Sequence, residues 1–208
     1  MLDPFSVDYA GLSNNSLYSS IVQLASAQPN ESNRHDYKTI WSNDAIKDVA
    51  AFANTFGGIL IIGVEKNKKD NQAKPVGVAS SSELTTGIAS AIATNISPTP
   101  PYDIAECHEP EEPSRKFAVV RVRSDGRLFL VTKKDIPNPA WFRNSDETIR
   151  ADAAQLRMMI DRDREAATQA PSHRISRIRD LLDEMQIGDN YITETPNWTR
   201  SCRRSENY

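Results

Sequence analysis

Apolar and polar positions along the chain change period several times, and each change marks an element. Within residues 1–30, the run Leu17-Tyr18-Ser19-Ser20-Ile21-Val22-Gln23-Leu24 puts apolar side chains three and four apart. That spacing predicts a short helix in an N-terminal extension, closed by Pro29-Asn30. His35 to Trp41 alternates instead, with Tyr37 and Trp41 as the apolar members, which predicts a short half-buried strand. Ser42 or Asn43 can cap a helix from about Asp44 to Thr55. Its expected stripe is Ile46, Val49, Ala50, Ala53 and Phe56, and Gly57-Gly58 stops it, because glycine accepts the left-handed conformation that ends helices. A buried strand at Ile59–Val64, a polar turn and a short strand at Pro75–Val78 follow.

Ser80-Ser81-Ser82 is positioned to cap a second helix, from Glu83 to about Ile96, which the proline-rich run through Pro101 cannot continue. Strands are predicted at Tyr102–Cys107, Lys116–Arg123, Leu128–Thr132 and Ala140–Arg143, and a closing helix from about Ala153 to Ala166. In the second of these strands Arg121 and Arg123 alternate with valines, so both leave the same face. Strands and helices do not alternate as βαβ units. The expected class is therefore α+β, a mixed and mostly antiparallel sheet with flanking helices. The expected organisation is an extension over 1–30, a domain over 31–167, an amphipathic helix over 172–187 and a flexible tail over 188–208. Ile175, Ile178, Leu182 and Met185 form the apolar stripe of that last helix, a surface suited to a homodimer.

Composition removes several classes. The longest apolar run is Ile59-Leu60-Ile61-Ile62, far short of the roughly 18 residues of a membrane span. Met1-Leu2-Asp3-Pro4 does not open a secretory signal, so a cytoplasmic location is expected. Cys107 and Cys202 have no CxxC partner, and His35, His108 and His173 fall in no metal-ligand spacing. No phosphate-loop, GxGxxG or GxSxG motif occurs, and no organic cofactor is expected. The net charge is -3, yet charge is segregated. Between Pro113 and Arg150 nine bases stand against four acids, whereas Asp103 to Glu112 carries five acids and no Lys or Arg. A basic segment of that kind is where a phosphate backbone would sit.

The fourteen residues Ala51-Phe52-Ala53-Asn54-Thr55-Phe56-Gly57-Gly58-Ile59-Leu60-Ile61-Ile62-Gly63-Val64 resemble the signature of the Schlafen AlbA_2 family, in which a helix runs through a double glycine into a central strand. Glu31-Ser32 with Asp36-Tyr37-Lys38 resembles the family's upstream acidic element, with aspartate where glutamate is usual. Val76-Gly77-Val78 fits the strand after the hairpin. Trp141-Phe142-Arg143 with Ser145, Thr148 and Ala151 is similar to its downstream strand and turn. The resemblance covers about 130 residues and leaves the flanks outside.

The resemblance implies nucleic acid, RNA or DNA, as partner. Among family members it also implies, for some, metal-dependent endoribonuclease activity on structured RNA such as tRNA. Carried over by motif position, the carboxylates for Mg²⁺ or Mn²⁺ are Glu31, Asp36 and Glu65, with glutamate at 65 in place of aspartate. Lys38 lies two residues from Asp36 on a strand, hence on its face, as the expected phosphate-facing ammonium. Lys38, Arg121, Arg123, Lys133, Lys134 and Arg143 are the expected backbone contacts, and Trp141 a stacking platform. Relatives with two lobes enclose RNA in a groove, which a homodimer of this chain would recreate. Three functions stay open: nucleic-acid binding, endoribonuclease, and a protein-interaction module without nucleic acid.

Overall fold

The computed structural model describes residue 5 and residues 7–67, 72–79, 83–134, 136, 140–165 and 168. The Ser80–Ser82 cap, the 172–187 helix and the 188–208 tail lie outside the described residues. Residues 1–167 form one compact unit.

Its centre is a sheet built on β2 (Gly58–Ile62) and β8 (Arg115–Val122), paired antiparallel with Leu60 opposite Val120. β1 (His35–Lys38) joins β2 in parallel, β7 (Tyr102–His108) joins β8 antiparallel, and the two-residue β5 (Val78–Ala79) pairs with the start of β8. Three antiparallel pairs stand beside it: β3 (Val64–Asn67) with β4 (Gln72–Pro75), β6 (Ile96–Ser97) with β9 (Leu130–Val131), and β10 (Trp141–Asn144) with β11 (Glu147–Arg150). The expected α+β class with mostly antiparallel pairing is what the chain adopts.

β2 reads as a continuous apolar run because it is buried on both faces. Leu60 and Ile62 face α2 (Asn43–Asn54) and α3 (Leu84–Asn95), with Val120, Val122, Phe129 and Trp141 in the same core. Ile59 and Ile61 face the opposite way, onto α1 (Asn14–Ala27), which brings Leu17, Ile21 and Ala25 to meet Tyr37, Phe117 and Val119. The helix read from sequence as an extension therefore supplies the second core layer.

Two expectations are corrected here. His35, Asp36 and Tyr37 are all buried, so β1 is no half-buried alternating strand. Phe56 leaves the apolar stripe of α2 and is 65% exposed, because the helix ends at Asn54 and the chain turns at Gly57. Gly57 has φ +72°, and a Cβ there would stand 2.7 Å from the Val122 carbonyl oxygen, so only glycine brings the turn this close to β8. α3 receives a cap no local pattern announced: Glu106 Oε2 on β7 accepts from the Leu84 and Thr85 amides at 2.6 and 3.1 Å.

The Asn-Thr pair that ends α2 is a fastener. Asn54 is buried, donates to the carbonyls of Phe129 and Trp141 at 2.8 and 2.9 Å, and accepts from the Phe129 amide at 2.8 Å. Thr55 Oγ1 donates to Ala51 and accepts from the Arg143 amide at 3.0 Å. A final helix, α4, over 153–165 adds Arg162, which donates to the Asn54 carbonyl at 2.6 Å.

Candidate functional site

β1, α2 and the β10–β11 hairpin converge on a polar cleft of about 300 Å³, lined by six acids and three bases. Its floor is a quartet of two acids and two bases. Lys38 Nζ reaches Asp36 at 3.1 Å and Asp48 at 2.9 Å, and Arg143 Nη1 reaches Asp36 at 2.9 Å and Asp48 at 3.5 Å. Arg143 Nη1 also donates to Thr148 Oγ1 at 2.8 Å, and its Nη2 to the carbonyls of Ser32 and Asp146 at 2.8 and 3.0 Å. Thr148 in turn donates to Asp48. Burial pushes the carboxyls of Asp36 and Asp48 above the ordinary aspartate range, opposed in part by Lys38. Desolvation works against the Lys38 ammonium, but Asp48 and Asp36 outweigh it and raise its pKa.

The carboxylate trio expected to hold a metal does not assemble. Glu31 and Asp36 share the cleft, close enough that Glu31 adds to the upward shift of Asp36. Glu31 is also tied to Lys66 at 3.0 Å. Glu65 is exposed on β3, opposite Lys74, and does not line the cleft. After Gly63, where φ is +97°, the chain leaves β2 and pairs with β4, and in that pairing Glu65 is exposed. Among the described residues no three His, Cys, Asp or Glu are grouped to hold a metal ion. With Asp36 and Asp48 both engaged by Lys38 and Arg143, the residues present do not fit the expected Mg²⁺ or Mn²⁺ centre. Asp48, which sequence reasoning missed, takes the place beside Asp36. Its only trace is an acid in an otherwise apolar turn of α2, a helix buried nearly all round.

Several expected nucleic-acid contacts are placed elsewhere. Arg143 is 4% exposed, held in the quartet with its guanidinium 5.0 Å from the Phe52 ring. Trp141 is 7% exposed and belongs to the core, with Lys47 over its ring at 5.1 Å. Lys38 is committed to two aspartates. Lys133 donates to Asn43 at 2.6 Å, and Lys134 is exposed but does not line this cleft. The segregated charges largely cancel: β7 and β8 pair with Asp103 opposite Arg121, so acidic and basic stretches become one ladder. Asp103 bridges Arg121 at 2.8 Å and Arg123 at 3.3 Å, Glu106 bridges Lys116 at 3.0 Å, and Glu112 bridges Arg115 at 2.9 Å.

A second cleft escapes this cancellation only in part, because Arg34 joins the Asp103-bridged Arg121 and Arg123 there. It has a volume of about 330 Å³ and lies where the Gly57-Gly58 turn meets the end of β8. Arg34, Arg121 and Arg123 line it with Phe5 and Phe56, and no acid is among its lining residues. Arg34 precedes β1, and its amide hydrogen bond to Ser32 Oγ at 3.1 Å fixes the turn that presents it. Arg121 also donates to the Val7 carbonyl at 2.9 Å, so it is held in place from two sides. The alternation of Arg121 and Arg123 pointed to this surface. Arg34 and Phe56 did not stand out, because their part in it depends on the turn at Gly57 and the pairing of β1 with β2.

Among solved structures, one similar chain is the N-terminal domain of an ATP-dependent DNA helicase RecG-related protein from Nitrosomonas europaea. It is 21% identical over 64% of this chain and 92% of that one, with a TM-score of 0.47. No curated protein matches the chain. The family model described as Schlafen, AlbA_2 matches residues 31–152, a span that holds the double-glycine turn, the buried quartet and all three arginines of the basic cleft. The chain belongs to the Schlafen AlbA_2 family.

Proposed function

We propose that this is a cytoplasmic nucleic-acid-binding protein that holds the phosphate backbone in the arginine cleft. One observation carries the reading: three guanidinium groups from two separate segments line one concave surface, against the single carboxylate of Asp103 that bridges two of them. Guanidinium groups match phosphate in both charge and bidentate geometry. Arg34 makes no ion pair among the described residues, so the cleft keeps a net positive charge. Fluorescence anisotropy with labelled tRNA and with duplex DNA, across a salt series, tests it. Binding should weaken steeply with salt and be lost on charge reversal by Arg123→Glu. Absence of binding to either probe at low salt removes this reading and leaves the protein-interaction role.

Endoribonuclease activity is the second reading: Glu31, Asp36 and Lys38 line the other cleft, where a metal ion would have to displace the ion pairs that Lys38 and Arg143 make to Asp36. Incubation of tRNA with Mn²⁺, wild type against Glu31→Ala/Asp36→Ala, decides it. Cleavage by the wild type alone supports it, and intact tRNA throughout removes it. Pairing of two copies is read by sedimentation velocity over a concentration series.

A further inference from the structure

One guanidinium in the arginine cleft is left with an unmet demand. Arg34 is half-buried, and its Nε is closed off from solvent with no hydrogen-bond partner. Among the described residues its guanidinium makes no ion pair, and it lies against the Phe5 ring at 3.9 Å. An oxyanion entering the cleft would meet a guanidinium that no carboxylate engages. Arg123, across the same cleft, has a side chain 57% exposed and a single acidic neighbour, Asp103, at 3.3 Å. Arg121 is engaged by Asp103 and Val7, so it shapes the wall and leaves Arg34 and Arg123 as the groups open to an anion.

Beside them stands Phe56, one of the three most exposed large apolar side chains described. The turn at Gly57 holds it out of the core, on the rim of a cleft that carries three arginines. An aromatic face next to a phosphate grip matches the repeat of a nucleic-acid strand, in which each phosphate is followed by a base. In a duplex both faces of a base are covered by its neighbours, whereas an unpaired strand can turn one onto an aromatic ring. The volume of about 330 Å³ lies at the small end of ligand-sized pockets, roughly 300–1,000 Å³, and suits one nucleotide better than two strands.

We infer that this cleft selects single-stranded nucleic acid, gripping one phosphate between Arg34 and Arg123 and stacking the adjoining base on Phe56; the inference rests on the nucleic-acid reading above. The probes are fluorescein-labelled oligo-dT and oligo-U of 12 nucleotides and a mixed-sequence DNA duplex of equal length, titrated with the full chain. The single strands bind at least about tenfold more tightly than the duplex, and Phe56→Ala removes about tenfold from the former with no change to the latter. Phe56→Trp keeps the affinity. Arg123→Gln weakens both and lowers the salt slope by about one. Phe56 is exposed, so its variants should melt like the wild type, and a melt of each confirms folding. Equal binding of strand and duplex, indifferent to Phe56→Ala, overturns the single-strand inference while the nucleic-acid reading survives. No binding of any probe overturns both.

Discussion

Arg143 offers a direct contest between a phosphate contact and a structural strut. Its guanidinium is buried and makes four hydrogen bonds, to Asp36, Thr148, Ser32 and Asp146. Arg143→Ala leaves Asp36 and Asp48 sharing one ammonium, and strips a donor from two main-chain carbonyls. Breaking a buried ion pair by removing one partner costs about 3–5 kcal/mol, because a desolvated charge is left behind. Domains of this kind have about 5–15 kcal/mol in total. Equilibrium urea denaturation followed by circular dichroism reads the loss. With a slope of about 2 kcal/mol/M, a loss of 4 kcal/mol moves the midpoint down by about 2 M. Arg143→Lys keeps the charge but not the fork, and should lose about half as much. Arg143→Met combined with Asp36→Asn removes one charge of each sign, leaves Lys38 paired with Asp48, and should be less damaging than Arg143→Ala alone. A midpoint within about 0.5 M of wild type for Arg143→Ala, with nucleic-acid affinity abolished, would refute the strut and restore the phosphate contact.

Three further outcomes follow from the same structure. Asn54→Ala orphans the Phe129 amide and two carbonyls in the core, and should cost about 3 kcal/mol in the same denaturation assay. Gly57→Ala, at φ +72° against the Val122 carbonyl, should cost about 1–3 kcal/mol, whereas Gly87→Ala in α3, with open space around it, should gain about 0.5–1 kcal/mol. His35 is buried and bonded through Nδ1 to Ser32 at 2.7 Å, and desolvation lowers its pKa from the usual 6.5. A depressed pKa gives stability that is whole above pH 6.5 and is lost as pH falls toward the folded-state value. Wild-type Tm should therefore fall more between pH 7 and 5 than that of His35→Gln, and parallel curves would contradict it.

Much of the architecture could be read locally. The helix that stops at Gly57-Gly58, and the strand that follows, announce themselves through period and through glycine's freedom at positive φ. Asp36 and Lys38 share a face because strand geometry leaves no choice. Those are short-range constraints, and a linear pattern carries them in full. Function-bearing details came from pairings that no linear pattern specifies. The register that sets Asp103 opposite Arg121 is decided by how two strands bury their apolar faces, and it turns a basic segment into a neutral ladder. Asp48 meets Lys38 and Arg143 only because α2 packs against β2 and β10, and Glu65 faces out because the chain leaves β2 after Gly63 to pair with β4. Arg34 and Phe56, 22 positions apart in the chain, share a cleft for the same reason. Local conformation was determined by the sequence itself, whereas which charges survive uncompensated was decided by packing, since ion pairing depends on distances that only the folded chain sets.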